Sequence, residues 1–171
     1  MPIFKASLQH HKHSLSQAII PVPENIAKQL INKRADKRAV CSINNDHEYH
    51  CALLPDGEGG HYIMVNKKIR KKLNLDFGDE VQLFLKVDPT KYGMPLPKEF
   101  KEVLETDPEG QSFFESLTPG KQRSLIHIVG KVKSSDLRIT KSLVILEHLK
   151  RHNGELDYKI LNNDFKNERL N

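Results

Sequence analysis

Apolar and polar positions change their period along the chain, and those changes divide it. Residues 3–8 alternate, with Phe4, Ala6 and Leu8 on one face, the period of two of a half-buried strand. A polar stretch, residues 9–17, leads to a second strand over 18–22. Pro23 is placed as the first residue of a helix reaching about Asn32, with Ile26 and Leu30 on its inner side. After a charged loop over 33–37, residues 38–54 read as a hairpin. Cys41 and Ile43 face the core from its first strand, and Tyr49, Cys51 and Leu53 from its second, with a loop at 44–46. A slip by one residue would turn Glu48 and His50 inward, which is costly, so Cys41 is expected opposite Tyr49. Residues 55–60 are a turn by composition.

A second strand–helix–strand run follows. Residues 62–65 are apolar, Asn66 is an N-cap, and a short helix reaches Leu73 with Ile69 and Leu73 inward. Asn74 can end that helix in the left-handed conformation, with Leu75 packing back. The next strand has the cleanest alternation in the chain: Val81, Leu83, Leu85 and Val87 in, Gln82, Phe84 and Lys86 out. Residues 20–30 align with residues 63–73 at a constant offset of 43, matching Val22 with Val65, Ile26 with Ile69, and Leu30 with Leu73. Two such units in one chain predict a pseudo-twofold β-barrel, each half covering the other's open face.

Beyond Asp88 the period becomes helical, and the fold class is therefore α+β. The reading divides the chain into a barrel domain (1–88), a linker (89–96), a helical domain (97–152) and a polar, frayed C-terminal tail (153–171). Pro97 opens a helix with Phe100, Val103 and Leu104 inward. Asp107-Pro108 and Thr118-Pro119 each read as N-cap then N1 proline. Phe113, Phe114 and Leu117 give one apolar face, and Leu125, Ile126, Val129 and Val132 the next. Ser134 or Ser135 caps a last long helix to about His152, with Leu137, Val144, Leu146 and Leu149 inward and Asn153-Gly154 as its stop.

The 171 residues suit a single domain or one with a helical appendage, and 37% hydrophobic content leaves no stretch long enough to span a membrane. The first twenty residues lack an apolar signal core, and two cysteines make no disulfide framework, so a cytoplasmic protein with reduced thiols is expected. The net charge of +5 matters less than its distribution. Residues 98–117 set six carboxylates against two lysines, whereas 121–151 set eight cations against two carboxylates. Lys67, Lys68, Arg70, Lys71 and Lys72 put five cations into six residues, a run able to attract phosphates.

The stretch 62–87, with its Lys-Ile-Arg-Lys-Lys-Leu helix and Phe-Gly-Asp-Glu-Val turn, resembles the AbrB/MazE swapped-hairpin barrel. There two chains each give one unit; here one chain gives both. Over residues 3–151 the chain resembles the YdeI/OmpD-associated (bacteriocin-protection) family, a barrel domain of unknown function followed by a small helical domain. The resemblance rests on Pro21-Val22-Pro23, Leu54-Pro55-Asp56-Gly57, Asn66-Lys67, Leu73-Asn74-Leu75 and Gly78-Asp79-Glu80-Val81, then Pro97 to Phe100, Leu117-Thr118-Pro119, Ile128, Lys133 and Arg138. It implies an AbrB-like double-split barrel and adds Lys133, Arg138 and Lys141 to the candidate binding residues. The family's basic motif has a threonine before the arginine and a second arginine three residues after it. Leu137 and Lys141 stand there instead, and lysine is a point charge that cannot grip an anion bidentately.

No motif points to catalysis. Cys41 and Cys51 lie on apolar strand faces, where a thiolate is disfavoured. Cys41, His47, His50, Cys51 and His61 do not converge as a metal site in the expected register, and His10, His11 and His13 read as surface histidines. The glycine-rich turn at 56–60 carries Asp56 and Glu58, which would repel a phosphate. The expectation is a non-catalytic binding or stress-protection module without cofactor or metal, a monomer or weak homodimer. Its site for a small ligand, peptide or protein would lie between barrel and helices. The alternative is an AbrB-like nucleic-acid binder using the basic helix at 67–72. Against it, the matching places of the first unit are Glu24, Asn25 and Gln29, whereas a twofold operator reader needs both halves basic.

Overall fold

The computed structural model describes residues 2–168 and divides them into two compact units at Gly93–Met94. The N-terminal unit contains β1 (Ile3–Ser7), β2 (Gln9–His11), β3 (Ser14–Val22), α1 (Glu24–Lys33), β4 (Arg38–Ile43), β5 (His47–Ala52), β6 (Leu54–Pro55), β7 (His61–Val65), α2 (Lys67–Lys72) and β8 (Glu80–Val87). They build two four-stranded antiparallel sheets, ordered β1-β8-β4-β5 and β2-β3-β7-β6.

The register follows the alternation. Cys41 lies opposite Tyr49 and, across the other edge of β4, opposite Leu85. Ile20, Ile43, Ile63, Leu83 and Leu85 are fully buried, and Leu8, Val22, Ile26 and Ile69 join the same cluster. The aligned strands β3 and β7 pair with each other, and the residues directly opposite, Ile20 and Ile63, are themselves related by the repeat offset. The two sheets adjoin at both ends, β1 beside β3 and β5 beside β7.

Strand pairing begins earlier than the apolar pattern does. Residues 9–11 pair with β3 between Ser14 and Ile19, with a register shift after His10, so the polar stretch is itself part of a hairpin. Alternation misses it because neither face there is buried; Leu15, near its tip, is 79% exposed. Pro23 and Pro97, read as openers of their helices, each stand one place earlier as N-caps. Their fixed φ suits either position, and pattern alone does not separate the two.

The C-terminal unit is helical: α3 (Lys98–Thr106), α4 (Pro108–Ser116), α5 (Pro119–Gly130), α6 (Ser135–Arg151) and α7 (Tyr158–Asn167). The other four pack on α6. Asp107, Thr118 and Ser134 are N-caps, accepting from the amides of Gly110, Lys121 and Leu137. Phe100 and Phe114 are fully buried and meet edge to face with centroids 5.2 Å apart. A Cβ on Gly110 would lie 2.8 Å from that of Leu146, so this glycine lets α4 approach α6 closely.

Two expectations fail in this unit. Leu137 is 44% exposed rather than inward, and Ile145 is the fully buried residue the reading did not name. Of the tail expected to fray, residues 158–167 form α7. Asp157 caps it by accepting from the amides of Lys159 and Ile160, and Leu161 is buried. Low apolar content concealed α7, because one buried leucine and local capping suffice once α6 offers a surface. Among the described residues no helix is long and apolar enough to cross a membrane.

Candidate functional site

The basic run is held out by its own helix. Asn66 Oδ1 accepts from the Ile69 amide at 2.9 Å, and Ile69 is buried, which fixes how α2 rotates. At the other end Asn74 adopts φ 50°, the Leu75 amide donates to Arg70 O at 2.9 Å, and the Asn74 amide to Lys71 O at 3.3 Å. That reversal buries Leu75 and leaves Lys67, Lys68, Lys71 and Lys72 exposed. Arg70 is half-buried, its guanidinium 4.1 Å from the Phe77 ring centroid, while His10 stacks on Phe77 at 3.4 Å. Two groups so close to one ring occupy opposite faces of it.

Among the described residues, Arg70 Nε is buried without a hydrogen-bond partner, and no ion pair occupies Lys67, Lys68, Arg70 or Lys71. A groove of about 260 Å³ runs past Lys67, Arg70, Lys71, Asn74, Leu75 and Asp76. Three cations and one amide against one carboxylate make it attractive to an anion.

The second candidate set is not brought together. Lys133 is exposed. Arg138 Nε donates to Val132 O at 2.7 Å, and its Nη1 lies 3.4 Å from both oxygens of Glu99, tying the start of α6 to α3. The Lys141 ammonium sits 4.0 Å over the Phe165 ring. Arg138 lines a crevice with Pro97 and Ile126, and Lys141 lines another with Phe165.

Two buried polar clusters escaped the sequence reading. Asp88 is 1% exposed. Its Oδ2 lies 2.6 Å from His50 Nδ1, and its Oδ1 accepts from the Thr90 amide at 2.8 Å and the Thr90 hydroxyl at 2.6 Å. Arg34 donates to the carbonyls of Asp88, Thr90 and Lys91 and pairs with Asp36, and Arg38 donates to Gly93 O at 2.8 Å. Burial pushes the Asp88 carboxyl upward, but the hydrogen bonds from His50 and Thr90 outweigh it and hold the group below its ordinary range. An aspartate two residues before a threonine was the only local signal.

In the C-terminal unit, His148 is fully buried. Its Nε2 accepts from the Asp157 amide at 3.4 Å, so the proton on Nδ1 is donated to Asp164 Oδ2 at 2.9 Å. Arg151 reaches the same oxygen at 3.0 Å. Burial raises the Asp164 carboxyl, but His148 and Arg151 lower it by more. The signal was the spacing of Leu161 and Phe165 in the tail, which is helical.

The thiols are inert by position. Cys41 and Cys51 are free and buried, and burial pushes Cys41 up to about 12 and Cys51 higher still.

The sequence matches two family models in tandem. Residues 4–85 match a domain of unknown function, DUF1905, and residues 94–152 match the family described as "Bacteriocin-protection, YdeI or OmpD-Associated". The chain is thus similar to DUF1905 over its first part and to the YdeI/OmpD-associated family over its second. No curated protein matches it. The basic face on α2 lies within the residues matched to DUF1905, and Arg138 and Lys141 within those matched to the YdeI/OmpD-associated family. That second match ends at residue 152, so α7, with Asp164, lies beyond it.

Proposed function

We propose that this chain is a non-catalytic binding or stress-protection module that engages an anionic partner through the exposed face of α2. The observation that carries the reading is the cluster of Lys67, Lys68, Arg70 and Lys71, which makes no ion pair among the described residues and is presented by a capped helix beside a groove. We further propose that the N-terminal sheets close into a pseudo-twofold barrel of the AbrB-like double-split type. Support comes from strand orders that are unchanged when β3 exchanges with β7, β4 with β8, β1 with β5 and β2 with β6. The pairing of Ile20 with Ile63, residues matched by the repeat, supports a local twofold axis between them. One chain supplying both halves needs no second copy for closure, which suits a monomer or weak homodimer. Protonated, unpaired thiols suit a reducing cytoplasm.

A second reading, nucleic-acid binding, is favoured by the density of cations on α2. The matching helix α1 weakens it for duplex operators, because Glu24 and Lys28 form an ion pair there. Titrating the full chain at low salt with labelled poly-glutamate and with a short DNA duplex tests both. Binding to either polyanion, weakened about tenfold or more by Lys67→Glu with Lys71→Glu, supports the α2 face. A DNA preference whose salt slope is about −0.9 per phosphate contacted favours the second reading. Failure to bind either, or binding indifferent to the charge reversal, overturns the proposal.

A further inference from the structure

The positions of α6 that face α7 form one stripe: Leu137, Lys141, Val144, His148 and Arg151, spaced four, three, four and three residues apart. Against it α7 sets Leu161, Asp164 and Phe165. Phe165 shares a crevice with Leu137, Lys141 and Val144, under the Lys141 ammonium. Asp164 gives one oxygen to both His148 and Arg151. Leu161 is 1% exposed. The stripe is therefore apolar at one end and a carboxylate receptor at the other, and both ends are filled by the same short helix. Each described hydrogen bond of the buried His148 ring goes to the segment that follows α6.

We propose that this face of α6 is a docking groove for an amphipathic helix presenting Leu-x-x-Asp-Phe, and that α7 is its built-in occupant. Recognition has three parts. The leucine fills the buried position, the aspartate takes paired hydrogen bonds from His148 and Arg151, and the phenylalanine lies under Lys141. The buried His148 Nδ1–H is costly to leave without an acceptor, and the Arg151 guanidinium beside it favours a carboxylate as that acceptor. Displacement is geometrically open. Arg151 is 50% exposed, and a groove of about 540 Å³ borders Asp164, Arg151, Lys150 and Leu143 from the solvent side. The connector holds two left-handed residues, Asn153 and Gly154, at which the chain reverses. Tethered α7 competes at a high effective concentration, so an outside helix enters only when α7 is loosened.

The test is competition between α7 and the same sequence supplied separately. A labelled peptide of residues 155–168 is titrated by fluorescence anisotropy into the full-length chain and its variants. The wild-type chain should bind weakly. Asp164→Asn and Leu161→Ala, which weaken only the tethered helix, should each raise peptide affinity about tenfold or more. Adding Arg151→Gln to Asp164→Asn should cancel that gain, because the receptor for the peptide's aspartate is then gone. Circular dichroism checks that the other helices persist in every variant. Folded Asp164→Asn and Leu161→Ala chains that bind no better than wild type would overturn the proposal, as would a gain that survives Arg151→Gln.

Discussion

Helices α1 and α2 occupy matching places in the repeat and differ almost everywhere except where they face the core. Each follows a strand ending in a buried valine, Val22 or Val65, and each buries an isoleucine four residues later, Ile26 or Ile69. Outwardly, α1 neutralises itself through the Glu24–Lys28 pair, whereas the described residues leave most of the α2 cations unpaired. Their starts differ too: Pro23 makes no side-chain capping bond and Asn66 makes one. The strands that follow show the same divergence. The residue after β4 is Asn44, exposed and hydrogen-bonded to the backbone of Gln82, and the residue after β8 is Asp88, buried and bonded to His50 and Thr90. Packing has kept the inward faces of the two halves alike, and the dense cation cluster occurs in one half only.

The largest expected effect breaks the shared part. Ile63→Ala should cost about 3–4 kcal/mol in a urea titration, as should Ile20→Ala, since both side chains are fully buried. Because they lie opposite each other, the double variant should depart from additivity by about 0.5 kcal/mol or more. Additive or negligible costs would mean the repeat axis is not a packing centre. In the helical unit Phe114→Ala should cost about 3 kcal/mol, and an unchanged melting temperature would contradict the burial of that ring.

Next comes Asp88. Asp88→Ala leaves the Thr90 amide and His50 without their acceptor and should cost about 2–3 kcal/mol. The sign of its pH dependence follows from a folded pKa held below the unfolded value. Its contribution is complete above the unfolded value, about 3.9, and is lost as pH falls through the folded one. Asp88→Asn should therefore flatten the acid limb of the stability curve below about pH 4; an unaltered limb would show that other carboxylates control it.

Smaller effects separate the two helices. Asn66→Ala should cost about 1 kcal/mol by removing the cap of α2, whereas Pro23→Ala has no capping bond to lose and should cost less. The smallest change in stability belongs to Lys67→Glu with Lys71→Glu, within about 0.5 kcal/mol, because both side chains are exposed. An equal loss at α1 and α2, or a marked destabilisation by charge reversal, would remove the distinction between a packed inner face and a free outer one.

Much of the fold was legible because burial on one face imposes a period. Cys41 opposite Tyr49, the Asn66 cap, the Asn74 reversal and the proline-marked starts of α4 and α5 all follow from local chemistry. The 9–11 pairing was not legible, since a hairpin exposed on both faces carries no alternation. Of the candidate binding residues, the α2 run was readable as one surface because a single helix carries it. For Lys133, Arg138 and Lys141, nearness in sequence did not show that Glu99 and the Val132 carbonyl engage Arg138.

The amino-acid sequence by itself determined periodicity, capping and the duplicated inward residues, because each depends on neighbours a few positions away. Only the tertiary structure decided which polar groups are buried together: His50 with Asp88, 38 residues apart, and His148 with Asp164, 16 apart. Such pairs leave no repeating signal, since a buried carboxylate needs one correctly placed donor and is indifferent to where along the chain that donor comes from.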